Sequence, residues 1–186
     1  MTKMLRLLAV VLTLGLLFAA GRPASAAGTD PQNTLYLDVP AGRVVIQLRP
    51  DLAPVTVARI KELVRRGFYD GLAFHRVIPG FMAQGGDPLG NGTGGSGHPL
   101  KAEFSSEPFL RGVVAMARAE DPNSADSQFF IMTAANPSLN GQYTIFGRVV
   151  SGMENIDKLK AGSEENNGAV DNPDHIIRMQ VAADVK

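Results

Sequence analysis

The sequence predicts a mostly β protein, a closed antiparallel barrel of eight strands capped by two α-helices. About eight short segments have strand patterns, whereas only two segments repeat apolar residues at helical spacing. Strands and helices do not alternate regularly and no internal repeat occurs, which argues against a parallel sheet with crossover helices. A closed antiparallel barrel satisfies this order of elements and leaves no exposed sheet edge.

The first 26 residues have the features of a secretory signal peptide. Lys3 and Arg6 precede an uncharged, mostly apolar run at residues 7–20, and residues 24–26 form a small-residue A-x-A cleavage site. An uncleaved membrane anchor is the alternative, but the 14-residue run is shorter than the ~20 residues that a spanning helix needs. We therefore expect an exported protein, periplasmic or alternatively secreted, whose mature chain begins at Ala27.

The mature chain has the size of one domain. Removal of 26 of the 186 residues leaves 160, which we divide into a mobile lead at residues 27–34 and a single domain at residues 35–186. The 15 basic and 18 acidic residues that remain give a net charge of −3, with no electrostatic reason to bind nucleic acid or an anionic membrane. We expect a monomer that does not associate with membranes after cleavage.

A hairpin and a helix open this domain. Residues 35–39 and 44–48 each alternate apolar and polar residues on either side of a Pro-Ala-Gly turn, which predicts two antiparallel strands. Residues 54–66 predict a helix, because a proline suits the first turn and an apolar face recurs at helical spacing. Gly67 is expected to end this helix.

The stretch FHRVIPGFMAQGGD, residues 74–87, places one long cation among apolar and aromatic residues. Alternation at its start predicts a strand with Phe74, Arg76 and Ile78 on one face. A Pro-Gly pair ends this strand, and a second apolar run follows. An arginine on an apolar face is costly unless it has a partner or a function. The alternative is a surface arginine whose apolar stem packs while its charge reaches water.

The second half of the chain supplies the remaining strands. The glycine-rich segment at residues 90–97 lacks the GK[ST] ending of a phosphate-binding loop, so we interpret it as a permissive loop that lets backbone pack near the site. A short helix is predicted at residues 153–161. Further strands are predicted at residues 113–116, 129–133, 145–150 and 176–181.

Four strings in these segments carry a family likeness: GFYDGLAFHRVIPGFMAQGGD (67–87), GTGGSG (92–97), SQFFIMT (127–133) and FGRVVSGM (146–153). In this order they resemble the cyclophilins, which are peptidyl-prolyl cis-trans isomerases, and in particular the bacterial periplasmic and secreted members. The resemblance extends over residues 35–181. It implies the same eight-stranded barrel and the isomerisation of X–Pro bonds in exported proteins, with no cofactor and no metal.

The resemblance also implies which residues form the site. The family's catalytic arginine falls on Arg76, and the glutamine that hydrogen-bonds substrate backbone falls on Gln84. The backbone that pairs with substrate falls on Ala117 and Arg118. His75 is a possible further member, although a core histidine hydrogen-bonded to backbone is the simpler interpretation. The other expected lining residues are Phe81, Met82, Phe130 and Leu139 around the proline ring, with Gln128 and Tyr143.

Three positions depart from many family members. Ser138 stands where many have tryptophan, and its small side chain predicts weak binding of cyclosporin, the family's cyclic-peptide inhibitor. Tyr143 stands where many have histidine, and keeps an aromatic wall with a polar tip. Arg118 stands where many have asparagine, a change that we expect to be tolerated because the family role is through backbone.

Arg76 suits the chemistry of an X–Pro bond, whose rotation barrier is ~18–20 kcal/mol. The proline nitrogen accepts a hydrogen bond only when the bond is twisted, so a donor aimed at it favours the transition state. The guanidinium is a permanently charged donor with fixed geometry. Two other functions stay open. One is a non-catalytic module that holds proline-containing polypeptides. The other is a hydrolase that uses His75 with a serine, although no nucleophile motif is present.

Overall fold

The computed structural model describes residues 30–163 and 165–186. The predicted signal peptide, residues 1–26, and the first part of the predicted lead lie outside the described residues. The described chain opens with Asp30, whose side chain accepts the N–H of Gln32 and caps the short 3-10 helix Pro31–Asn33. Within these two ranges, no helix has the length and apolar character that crossing a bilayer requires.

In the described part of the chain, eight strands form one antiparallel sheet: β1 Thr34–Val39, β2 Gly42–Leu48, β3 Arg76–Ile78, β4 Met82–Gly85, β5 Val113–Met116, β6 Phe129–Met132, β7 Ile145–Ser151 and β8 Arg178–Val181. Their order across the sheet is β3-β4-β6-β5-β7-β2-β1-β8. The predicted number of strands and their antiparallel pairing are confirmed. The edge strands are β3 and β8. Two isolated bridges lie at or beside them, one from Ala73 to His175 and one from Arg76 to Ala169. Closure of the sheet into a complete barrel stays a prediction.

Two α-helices accompany the sheet within residues 30–163 and 165–186, as predicted. Helix α1, Pro54–Arg65, begins at its proline and is followed by Gly67 with a φ of 66°. Helix α2, Met153–Ile156, is shorter than the predicted residues 153–161. The predicted length is wrong, because the N–H groups after Asp157 do not continue the helical pattern. Leu159 donates to the carbonyl of Ile156 at 3.1 Å in a turn, and Lys160 donates to Asp174 at 2.8 Å.

The pleat of the sheet separates two apolar clusters. Successive side chains of a strand point to opposite faces, so Ala83 and Ile131 join the larger cluster while Met82 and Phe130 join the smaller. Helix α1 packs its buried residues into the larger cluster. The smaller cluster therefore lies on the other face of β4 and β6. It comprises Met82, Phe109, Val113, Ala115, Phe130, Met132 and Ile145.

The predicted face of Phe74 is wrong. Strand β3 begins only at Arg76, because Phe74 instead donates its N–H to the carbonyl of Asp174 at 2.9 Å. Phe74 consequently packs with Val77 in the larger cluster, whereas Ile78 packs against the smaller one. The side chain of Arg76 therefore lies on the same face as Ile78, away from the larger cluster.

Candidate active site

Strand register places the principal candidates in one row. Arg76 of β3 lies opposite Gln84 of β4, Gln84 lies opposite Phe130 of β6, and Phe130 lies opposite Ala115 of β5. Directly opposed residues share a face of the sheet. A cation, an amide and an aromatic ring are therefore neighbours on the face of the smaller cluster.

A cavity of about 120 Å³ lies over this row, and we call it the Arg76 cavity. Nine of the eleven candidates from the sequence line it; the other two, Gln128 and His75, line neighbouring cavities. The structure thus brings the predicted residues together, while their individual roles stay predictions. The lining residues are Arg76, Phe81, Met82, Gln84, Ala117, Arg118, Phe130, Leu139 and Tyr143.

Three aromatic rings fix the apolar wall of the cavity. Phe130 stacks on Phe109 with ring centroids 6.1 Å apart, and Tyr143 meets Phe130 edge-on at 5.5 Å. Such offset and edge-to-face pairs are the favoured aromatic arrangements. The predictions omitted Phe109, which is buried behind Phe130. The sequence around Phe109 gives only one indication of this position, an aromatic residue at the end of a polar connection.

Each of the three guanidinium nitrogens of Arg76 donates a hydrogen bond within the site. Nε donates to the carbonyl of Asn167 at 2.8 Å, and Nη2 donates to Oδ1 of the same residue at 2.9 Å. Nη1 donates to Oε1 of Gln84 at 3.2 Å. Burial lowers the pKa of Arg76 from its usual value, but arginine titrates so far above neutrality that it stays charged. The cation is therefore oriented before any substrate arrives.

Asn167 is the main site residue that the sequence-based predictions missed. It has a left-handed φ of 53°, and Gly168 follows with a φ of 81°. A Cβ atom on Gly168 would collide with the side chain of Ile78, so the glycine lets the loop press against β3. The carbonyl of Gly168 accepts the N–H of Val77 at 2.9 Å. An Asn-Gly pair is a common signature of such a turn, but nothing local connects it to Arg76.

Two glutamine amides continue the contacts of Arg76 towards the glycine-rich loop. Nε2 of Gln84 donates to Oε1 of Gln128 at 3.0 Å. Nε2 of Gln128 then donates to the carbonyls of Gly92 and Gly94, at 3.0 and 2.8 Å. These hydrogen bonds orient the side-chain amide of Gln84 so that its oxygen faces Arg76.

Two carboxylates, the buried Asp87 and the half-buried Asp126, hold the glycine-rich loop against the site. Asp87 accepts the N–H groups of Leu89, Asn91 and Gly92. Although burial opposes ionisation, these donors lower the pKa of Asp87 overall. Asp126 accepts three further N–H groups of the loop, and its pKa is lowered in the same way. A Cβ atom on Gly94 would collide with Asp87, so the loop passes this close only as glycine.

His75 does not line the Arg76 cavity. The residue is 7% exposed and lines a different cavity of about 270 Å³, which it shares with Arg76 and Gln84. Neither ring nitrogen makes a hydrogen bond of normal geometry with a described residue. Burial lowers the pKa of His75 below its usual value, although the charge of Asp87 opposes the shift. Within the described ranges, no three metal-ligating side chains cluster.

Comparison with known proteins decides the family. The model described as cyclophilin type peptidyl-prolyl cis-trans isomerase/CLD matches residues 34–181. The chain belongs to the cyclophilin family of peptidyl-prolyl cis-trans isomerases. This cyclophilin is 58% identical over 178 residues to a probable peptidyl-prolyl cis-trans isomerase of Brucella suis, across 89% of its own chain and 91% of the relative. It is 46% identical over 122 residues to peptidyl-prolyl cis-trans isomerase B of Bacillus subtilis, across 64% and 85% of the two chains.

Solved structures agree with this family. Cyclophilin AquaCyp293 of Hirschia baltica superimposes with a TM-score of 0.76 at 28% identity, covering 85% of this cyclophilin and 77% of that chain. A Cryptosporidium parvum cyclophilin-type isomerase, crystallised in the presence of the dipeptide Ala-Pro, gives a TM-score of 0.72 at 28% identity and 80% and 98% coverage. The predicted family is thereby confirmed, whereas the closer likeness to periplasmic or secreted members stays a prediction.

Proposed function

We propose that this cyclophilin rotates X–Pro peptide bonds of exported proteins and assists their folding, with Arg76 as the catalytic group. The observation that carries this proposal is the guanidinium of Arg76, oriented by Asn167 and Gln84 at an aromatic cavity. The cavity combines apolar walls, which suit a proline ring, with a fixed donor for its nitrogen. The relative crystallised in the presence of Ala-Pro supports a proline-containing ligand.

The proposed mechanism is preferential stabilisation of the twisted bond. Acceleration from ~10⁻² to ~10² s⁻¹ requires a barrier lowered by about 5.5 kcal/mol. Arg76 supplies a charge-assisted hydrogen bond to the pyramidal nitrogen, which the planar ground state cannot accept. Among the described residues, the carbonyl of Ala117 and the N–H of Arg118 make no hydrogen bond to other backbone. These groups are available to align the peptide on either side of proline.

A protease-coupled isomerisation assay on residues 27–186 tests this proposal. We expect X–Pro exchange in a short peptide to accelerate in proportion to enzyme concentration. Binding of the same peptide, measured by calorimetry, separates the proposal from its alternative. A protein that binds the peptide without accelerating exchange is a non-catalytic holding module, and the proposed function is then wrong.

The rate is expected to be nearly independent of pH between about 6 and 9. Arg76 stays charged throughout this range, and the lowered pKa of Asp87 and of Asp126 keeps both loop carboxylates ionised. Burial lowers the pKa of His75 below its usual value, so this ring is neutral over most of the same range. We expect His75→Gln to retain most activity in kcat/KM measurements across this range. A bell-shaped profile that disappears in His75→Gln would instead make His75 the catalytic residue.

Cyclosporin is proposed to inhibit this enzyme weakly. Ser138 is exposed in the 3-10 helix Pro137–Leu139, directly before Leu139 of the Arg76 cavity. Because an aromatic side chain at this rim adds contact area, Ser138→Trp should tighten inhibition about fivefold. Inhibition constants of the natural protein, Ser138→Trp and the control Ser138→Ala measure the effect. Tight inhibition of the natural protein would show that the indole is dispensable.

We further propose that the enzyme is exported and acts as a monomer, in the periplasm or alternatively outside the cell. The features of residues 1–26 support the export part of this proposal. Mass spectrometry of protein isolated from its own host should find Ala27 at the amino terminus. A species that retains Met1 in the membrane fraction would contradict export with cleavage.

A further inference from the structure

Arg118 is the second cation of the site, and it lies between two cavities. It lines both the Arg76 cavity and a neighbouring cavity of about 210 Å³. Gln84 and Ala117 are the other residues common to both cavities. An extended peptide whose proline occupies the Arg76 cavity therefore passes Arg118 on its way to the neighbouring cavity.

The side chain of Arg118 is held by neutral groups. Nε donates to the carbonyl of Gln142 at 3.1 Å, and Nη1 donates to the carbonyls of Ala119 and Glu120 at 2.8 and 3.0 Å. Its Cζ lies 4.8 Å from the ring centroid of Tyr143. These contacts fix the position of the cation without neutralising its charge.

The charge of Arg118 has no carboxylate partner in the described part of the chain. Other arginines there, such as Arg43 and Arg111, pair with aspartates at the surface. Nη2 of Arg118 makes no hydrogen bond to the described residues, although the other two guanidinium nitrogens are engaged. A fixed guanidinium edge is thus available to a carboxylate that comes from outside.

The surroundings of Arg118 favour an anion. Among the described residues, the Arg76 cavity is lined by two cations and by no acidic residue. The neighbouring cavity contains one carboxylate, Asp126, whose oxygens already accept the N–H groups of Ser96, Gly97 and His98. Charges of one sign along a cleft raise the local concentration of the opposite sign.

We propose that Arg118 makes this enzyme prefer proline segments that carry an aspartate or glutamate within two residues of the proline. The inference rests on the proposed function, because the peptide must first place its proline in the Arg76 cavity. It assigns a role to the side chain of Arg118, in addition to the backbone role expected from the sequence. Arg118 then acts as a specificity-determining residue.

The natural enzyme provides the first test. Peptides that differ only in having Glu, Gln or Lys at one position before or after proline are compared by kcat/KM at low salt. We expect Glu to exceed Lys by about three- to tenfold at one or more of these positions, as for partly exposed ion pairs. Because salt screens such charges, the ratio should approach one near ~1 M salt. Equal rates at low salt for every position would overturn the inference.

Three variants assign the preference to Arg118. Arg118→Gln should abolish the ratio of Glu to Lys rates, and Arg118→Lys should retain part of it because the charge remains. The matched control is Arg148→Gln, an exposed residue of β7 that lines neither cavity and removes the same charge. A ratio that survives in Arg118→Gln, or falls equally in Arg148→Gln, would overturn the inference.

Failure of the inference is distinguishable from failure of the proposed function. An enzyme that isomerises all peptides equally keeps its proposed function and loses the charge preference. A protein that isomerises none loses the proposed function, and the dissociation constants of the Glu and Lys peptides then decide the charge preference. Thermal unfolding of each variant shows whether that variant has folded. If Arg118→Gln has not folded, the salt dependence of the Glu-to-Lys ratio in the natural protein decides the inference.

Discussion

Arg76→Lys is expected to lower kcat/KM by about 100-fold or more, although it preserves the positive charge. Lysine offers one rotatable ammonium group in place of a planar fork. It therefore cannot contact Asn167 and Gln84 at the three positions that orient Arg76 and also point at the proline nitrogen. Loss of one preorganised donor to a transition state typically costs about 10²–10³ in rate. The protease-coupled assay measures this loss directly.

Binding separates a catalytic role of Arg76 from a structural one. Peptide affinity and thermal unfolding of Arg76→Lys should remain close to those of the natural protein, because the ground state does not use the donor. Arg111→Lys is the matched control, since Arg111 also makes a two-pronged contact, with the surface residue Asp157. The Arg111→Lys variant should keep the isomerase activity of the natural protein. Near-natural activity of Arg76→Lys would show that charge alone suffices and that the fixed geometry is unimportant.

Local patterns in the sequence predict the elements of this fold well. The alternation in β1 and β2 and the apolar face of α1 depend on neighbouring residues only, and the structure has these elements within a few residues of their predicted bounds. The length of α2 could not be predicted in this way. Lys160, which lies within the predicted helix, donates its N–H to Asp174, 14 residues further along the chain.

The same distinction applies to the site. Family motifs identified Arg76 and Gln84, and the register of β3 and β4 places these residues opposite each other. Asn167 was missed because it is separated by 91 residues from the arginine that it orients. The glycine-rich loop was interpreted as a permissive segment near the site. The two aspartates that hold it through backbone N–H groups were not foreseen.

Asn167→Gly is expected to lower kcat about tenfold with little change in peptide affinity. Glycine tolerates the left-handed φ of 53° and keeps the carbonyl that accepts from Nε of Arg76. It removes only Oδ1, the acceptor for Nη2 at 2.9 Å. A hydrogen bond to a charged group contributes roughly 1.5–3 kcal/mol, and exposure of Asn167 places the expected effect at the low end. Single-turnover isomerisation rates measure kcat apart from binding.

Asn172→Gly is a closely matched control for this change. Asn172 also has a left-handed φ, 50°, and its side chain makes no hydrogen bond with the described residues. The same substitution there should leave the rate unchanged, which separates loss of Oδ1 from an effect of added backbone freedom. In the Arg76→Lys background, Asn167→Gly should have almost no further effect, because residues that act through one contact are not additive. If the two losses instead multiply, Asn167 contributes independently of Arg76 and does not act by positioning it.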